Sequence, residues 1–134
     1  MTAPILPQID EVNRTFWEGC RERELRLQRC STCRRLRYPP APVCSNCPSM
    51  DVEWETVSGR GAIFSFVVFR LAYHPARGDR VPDNVALVEL EEGPRMIGNV
   101  VDVDPGALRV GQPVRAVFEA VTDDVSLPKF RLEE

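Results

Sequence analysis

Two pairs of cysteines, Cys30-Ser31-Thr32-Cys33 and Cys44-Ser45-Asn46-Cys47, carry the strongest chemical signal in this 134-residue chain. Each C-x-x-C turn can present two sulfurs to one ion, and the segment between the pairs is long enough to fold one turn over the other. Zinc takes four thiolates in a tetrahedron. A closed four-sulfur site leaves no position for a reactive water, so the metal expected here, zinc held by Cys30, Cys33, Cys44 and Cys47, is structural. Iron suits the same tetrahedral sulfur geometry and is the lesser alternative. A redox dithiol needs only one pair and a thioredoxin-like βαβ setting, which the pattern lacks.

The remaining reactive groups are sparse. Cys20 is flanked by Arg21 and Arg23, which could lower its pKa; its place on a helical stripe with Phe16 favours burial. His74 is the one histidine and precedes Pro75 in a loop, where a turn residue is the expected role. Glu91-Glu92 and Asp123-Asp124 are adjacent carboxylates whose side chains diverge, as expected of solvated turns. No nucleophile elbow, phosphate-binding glycine loop or dinucleotide fingerprint occurs. No catalytic residue is assigned.

The elements that must position the cysteines follow from periodicity. Ile9, Val12, Phe16 and Cys20 fall at steps of three and four, predicting a helix over about Gln8 to Glu22. At Glu24 the period changes: Leu25 and Leu27 alternate with Arg26 and Gln28, a half-buried strand running into Cys30. Val52, Trp54 and Val57 predict another strand, ended by Ser58-Gly59-Arg60-Gly61. Beyond it five strands are expected. Ile63 to Leu71 is nearly continuously apolar, as for a strand covered on both faces; the others are Val85 to Glu91, Arg95 to Val103, Val114 to Val121 and Leu127 to Leu132. One non-strand connection, Pro105 to Val110, lies between the third and fourth. This order fits a five-stranded barrel of the oligonucleotide/oligosaccharide-binding (OB) type, or equally another small barrel. The segment from Ala72 to Asn84 is a long polar loop. The fold class is therefore mainly β, with a helical lead (1–23), a metal-held ribbon (24–58) and a barrel (59–134).

Composition narrows the partners. There are 17 Lys+Arg against 20 Asp+Glu, a formal charge of −3, which argues against a polycationic nucleic-acid binder. Lys129 is the one lysine, an arginine bias that a GC-rich genome explains. From Arg14 to Arg37, arginines outnumber Glu18, Glu22 and Glu24, and such a region could hold an anionic ligand or meet an acidic partner. The longest apolar stretch, Ala62 to Tyr73, contains Arg70 and is well short of the ~20 residues that cross a bilayer. The opening MTAPILPQID lacks the pattern of a secretory signal. A reducing cytoplasm is the expected location, where cysteine clusters bind metal.

Several short motifs then occur in a specific order: Phe16-Trp17-Glu18-Gly19, Leu25-x-Leu27-x-x-Cys30-x-x-Cys33, Tyr38-Pro39-Pro40, Cys44-x-x-Cys47, Ser58-Gly59-Arg60-Gly61, His74-Pro75, Ala86-Leu87-Val88-Glu89-Leu90 and Gly93-Pro94-Arg95. Taken together they resemble the acyl-CoA-associated family that combines a rubredoxin-like zinc ribbon with an OB-fold, long catalogued as a domain of unknown function. The resemblance runs from about Thr15 to Leu132; Cys20 departs from it, standing where an aliphatic residue is usual. It implies a non-catalytic partner subunit of a thiolase-superfamily enzyme. That partner is a lipid-transfer-type thiolase acting as retro-aldolase, an acyltransferase or a synthase, working on acyl-CoA in lipid or steroid side-chain catabolism. The ribbon and barrel would help shape the acyl-CoA channel, with loop contacts from His74, Arg77 and Arg80 suggested by position and residue type. Two other readings stand beside it: a single-stranded nucleic-acid module, disfavoured by the acidic charge, and a stand-alone acyl-CoA carrier.

Overall fold

In the computed structural model, residues 6–70 and 83–133 are described. The chain runs through one helix, α1 (Arg14–Arg21), and eight strands: β1 (Leu25–Cys30), β2 (Leu36–Arg37), β3 (Val52–Val57), β4 (Arg60–Phe69), β5 (Asp83–Leu90), β6 (Arg95–Gly98), β7 (Pro113–Ala120) and β8 (Ser126–Leu132). Two antiparallel sheets result, one ordered β2-β1-β3 and one ordered β6-β5-β4-β7-β8.

The helix is shorter than the apolar stripe predicts. Ahead of it Asp10 accepts hydrogen bonds from the backbone N–H of Val12 and Asn13, while Asn13 accepts one from the Asp10 N–H. These side-chain bonds satisfy backbone groups that would otherwise start a helix, so the regular turns begin only at Arg14. Phe16 and Cys20 are buried, whereas Ile9 is exposed. Past the helix, Arg23 adopts a left-handed conformation (φ 62°) and turns the chain into β1.

The five-stranded sheet curls into a half-barrel. A parallel bridge pairs Val100, just beyond β6, with Phe130 of β8. It is fastened by Val101 N–H donating to the Phe130 carbonyl and Phe130 N–H donating to the Asn99 carbonyl, at 2.8 and 2.9 Å. A 3₁₀ turn, Pro105–Ala107, precedes the buried Leu108. Inside lie Ile63, Ala86, Val88, Leu90, Met96, Val114 and Phe130, which form one continuous cluster with Phe16, Cys20, Leu25 and Leu27. The helix and β1 thus share an apolar core with the barrel.

Two expectations need correction. The third barrel strand ends at Gly98 rather than Val103, because the chain there breaks away to make the closing bridge and turns at Asp102, which has φ 54°. And β4 is not covered on both faces. A register shift between Ile63 and Ser65 bulges Phe64 outward, leaving it and Val67 exposed. The curled sheet turns one face inward, so a continuously apolar strand puts its alternate residues outside. Gly61 marks the tightest point of β4: a Cβ there would stand 2.4 Å from the Glu89 carbonyl oxygen. Among the described residues no helix is long and apolar enough to cross a membrane.

Candidate metal centre

The four cysteines of the two C-x-x-C pairs meet at one end of the three-stranded sheet. Cys30 closes β1, and the chain turns back on itself as Arg34 N–H donates to the Cys30 carbonyl and Cys30 N–H to that of Arg35. Arg34 takes a left-handed conformation to do so. The second turn is built alike, with Cys44 N–H donating to the Ser49 carbonyl. Ser31 N–H donates to the Asp51 carbonyl and the Thr32 hydroxyl to the Ser49 hydroxyl, tying the two turns together.

All four Sγ atoms lie within 4.8 Å of one another. Cys30 and Cys47 approach to 3.4 Å and Cys33 and Cys44 to 3.7 Å. Sulfurs at the corners of a tetrahedron around zinc, each about 2.3 Å from the ion, stand roughly 3.8 Å apart, so the cluster has the size that zinc requires. Backbone N–H groups already point at it, from Cys33 toward Cys30 Sγ and from Asn46 toward Cys44 Sγ, each at 3.4 Å. Such donors favour thiolates.

The charge balance points the same way. Hydrogen bonds from Asn46 and from the Arg35 backbone lower the Cys33 thiol to about 6, and the Cys33 backbone bond lowers Cys30. At Cys47 the Ser49 backbone bond also lowers, but Cys30, desolvation and the other two cysteines outweigh it and push the thiol up to about 12. Four sulfurs this close cannot all carry charge without a cation, and a divalent ion removes the conflict. The donor set and spacing fit structural zinc, which would hold the two turns together and supply no open position.

Polar side chains brace the ribbon. Arg29 makes a two-pronged pair with Glu55 across β1 and β3 at 2.9 and 2.8 Å and also donates to the Arg34 carbonyl. Buried Gln28 accepts from Arg37 and from the Ala41 N–H, holding the segment that leads to the second cysteine pair. Tyr38 packs its ring 5.6 Å from that of Phe16, and the Tyr38-Pro39 bond is cis.

Cys20 stands apart from the cluster, fully buried, and desolvation pushes its thiol up to about 12. It is a core residue. Glu91 and Glu92 are more than a solvated turn: they accept from the hydroxyl and the backbone N–H of Ser58, clasping the ribbon to the barrel. His74, Arg77 and Arg80 lie outside the described residues. A further polar cluster closes the barrel end. Lys129 donates to Asn99 at 2.9 Å, Asn99 donates to the Asn84 carbonyl, and Asn84 exchanges two bonds with the Val100 backbone. The lone lysine amid arginines was the available signal for this cluster, but its partners come from distant strands.

Comparison with known proteins supports this architecture. Residues 17–53 match "ChsH2, rubredoxin-like zinc ribbon domain" and residues 54–119 match "ChsH2, C-terminal OB-fold domain". A "3-oxo-4,17-pregnadiene-20-carboxyl-CoA hydratase alpha subunit" of Mycobacterium tuberculosis is 44% identical over 103 residues, 77% of this chain, and the chain spans only 32% of that subunit. A "DUF35 domain-containing scaffold protein" of Methanocaldococcus jannaschii is 31% identical over 111 residues, covering 81% of this chain and 77% of that one. The solved structure "Ltp2-ChsH2(DUF35) aldolase" superposes with a TM-score of 0.84 at 36% identity, covering 95% of this chain and 98% of the matched one.

Proposed function

The chain belongs to the DUF35 family, a zinc ribbon joined to an OB-fold, and from that membership we propose that it is a non-catalytic accessory subunit of an enzyme complex acting on acyl-CoA thioesters. The observation that carries this reading is the end-to-end likeness, at 36% identity, to a chain of an Ltp2-ChsH2 aldolase. In this reading the partner is a thiolase-superfamily protein of the lipid-transfer type, cleaving or forming a carbon–carbon bond. The steroid-CoA hydratase subunit among the relatives favours lipid or steroid side-chain catabolism.

The outer surface of the barrel suits such a partner. Leu87 stands directly across from Ser65 and Ile97, and Val85 across from Val67. With the bulged Phe64 these make an apolar strip on the outside of β4, β5 and β6, where Phe64, Val67 and Ile97 are exposed. An exposed apolar face with a charged margin is what a subunit interface requires. Arg95 borders it, its guanidinium 3.8 Å from the Phe64 ring centre and its Nε bonded to Glu89. Cys30, Cys33, Cys44 and Cys47 hold the zinc that shapes the ribbon, and the units comprise residues 1–23, 24–58 and 59–134.

Co-expression with a thiolase-superfamily protein encoded beside it tests the reading. Co-elution in size-exclusion chromatography is expected, with CoA-thioester cleavage only when both chains are present. An Ile97→Asp exchange should separate them without releasing zinc. Independent elution of two folded proteins, or full turnover by the partner alone, refutes the proposal.

A further inference from the structure

The sheet register places three arginines in a row. Arg60 of β4 pairs with Arg115 of β7, and Arg115 pairs with Arg131 of β8. Residues directly opposite on antiparallel strands share a face, with Cβ atoms about 5 Å apart, and like charges so placed repel. The outer two have carboxylates: Arg60 faces Glu133 at 3.6 Å, and Arg131 bonds Asp102. The middle one does not. Among the described residues Arg115 makes no ion pair, although it meets an arginine on both sides.

A fourth arginine joins from a different element. Arg23, at the left-handed turn where glycine is the usual residue after a helix, lines the same cleft as Arg115 and Arg131, and it too has no ion pair among the described residues. The cleft measures about 420 Å³, with Ala116, Val117 and Phe118 along its wall. A chain whose formal charge is −3 thus gathers Arg23 and Arg115, neither with an ion pair among the described residues, in one concave place between the turn that follows the helix and the barrel.

We propose that this cleft binds a phosphorylated small molecule, with Arg23 and Arg115 as its principal ligands and Arg131 at its edge. Guanidinium forks match pairs of phosphate oxygens, and arginines converging from separate elements suit a group of charge −2 or more better than a single carboxylate. The volume lies in the range of small-molecule pockets, about 300–1,000 Å³, and exceeds what inorganic phosphate needs. A concave cleft of this size also fits a small phosphorylated molecule better than a convex acidic protein surface. The phosphate could belong to free diphosphate or to the phosphorylated end of a nucleotide cofactor. The assignment does not depend on the identity of any partner enzyme.

Calorimetry on the full, zinc-loaded chain at low ionic strength tests it, with pyrophosphate, adenosine 3′,5′-bisphosphate and phosphate-free pantetheine as probes. Binding of one or both phosphates but not of pantetheine is expected, and the tighter of the two identifies the source. Arg115→Gln and Arg23→Gln should each weaken binding by about ten- to a hundredfold, the weight of a charged hydrogen bond. Arg14→Gln, at the first residue of the helix and lining a different cleft, should not. Among the described residues neither Arg23 nor Arg115 has an ion-pair partner to lose, so melting midpoints and zinc content should stay at the parent values. Absence of phosphate binding by the intact chain overturns the proposal, as does binding that both glutamine variants retain. If phosphates fail to bind while Arg115→Gln loosens a protein complex, the cleft is an acidic-partner surface and the proposal falls.

Discussion

The ribbon and the barrel are both antiparallel sheets, yet different forces hold them. In the ribbon, β3 leaves most of its side chains at least partly open to solvent, and the sheet is laced by Arg29–Glu55 and Arg34–Glu53 pairs. Half-exposed pairs of this kind contribute about 0–1 kcal/mol each, too little to order so small a unit. Its integrity rests on the four gathered sulfurs and on the side of β1 that shares the barrel core. The barrel has Ile63, Val88, Met96, Val114 and Phe130 fully buried on its inner face and a bridge that nearly closes it. Coordination thus substitutes for burial where the chain is too short to enclose a core.

Stripping the metal should expose this difference most sharply. Chelation, or Cys44→Ser, should remove one zinc per chain and of order 10 kcal/mol of apparent stabilisation from the ribbon. Hydrogen exchange should then show β2, β3 and the cysteine turns unprotected while β5 and β7 keep their protection; uniform loss across both sheets would dissolve the distinction. In the opposite direction, Phe130→Ala should cost about 3–5 kcal/mol in denaturant unfolding and release the Val100 bridge, with the zinc stoichiometry of the folded fraction unchanged.

A smaller effect is expected from Gly61→Ala. The added carbon would meet the Glu89 carbonyl at 2.4 Å, so β4 and β5 must part locally, at about 1–3 kcal/mol, and the loss should appear in barrel amides alone. The smallest concerns Cys20, at the shared core. Burial raises its thiol from 9.0 to about 12, so the folded state favours the neutral form. That contribution is whole below pH 9.0 and is lost as the pH rises from 9.0 through about 12. Melting curves should show an alkaline decline that Cys20→Ala flattens, and iodoacetamide should leave Cys20 unmodified at pH 8 in the native, zinc-bound chain.

Much of the fold was legible because its signals are local. The C-x-x-C spacing and the alternation of Leu25 and Leu27, or of Ala86, Val88 and Leu90, report burial on one face regardless of what lies opposite. Where local bonds compete, legibility failed. The stripe from Ile9 to Cys20 reads as one helix, but Asp10 and Asn13 spend their side chains on the backbone and the helix starts late. The apolar run of β4 reads as doubly buried, because composition records apolarity and not the curl that turns Phe64 and Val67 outward.

The order and chemistry of residues along the chain determined that four cysteines would hold a metal, that β-strands would follow, and that Cys20 would belong to a core. Residue order alone could not bring Arg60, Arg115 and Arg131 side by side, or send Arg23 to join them, since strand register and barrel closure are long-range choices made by packing. The same holds for Lys129 with Asn99 and Asn84, and for Glu91 and Glu92 on Ser58. Periodicity is written into neighbouring residues, whereas proximity between distant ones is settled only when the sheet curls and its pairing is set.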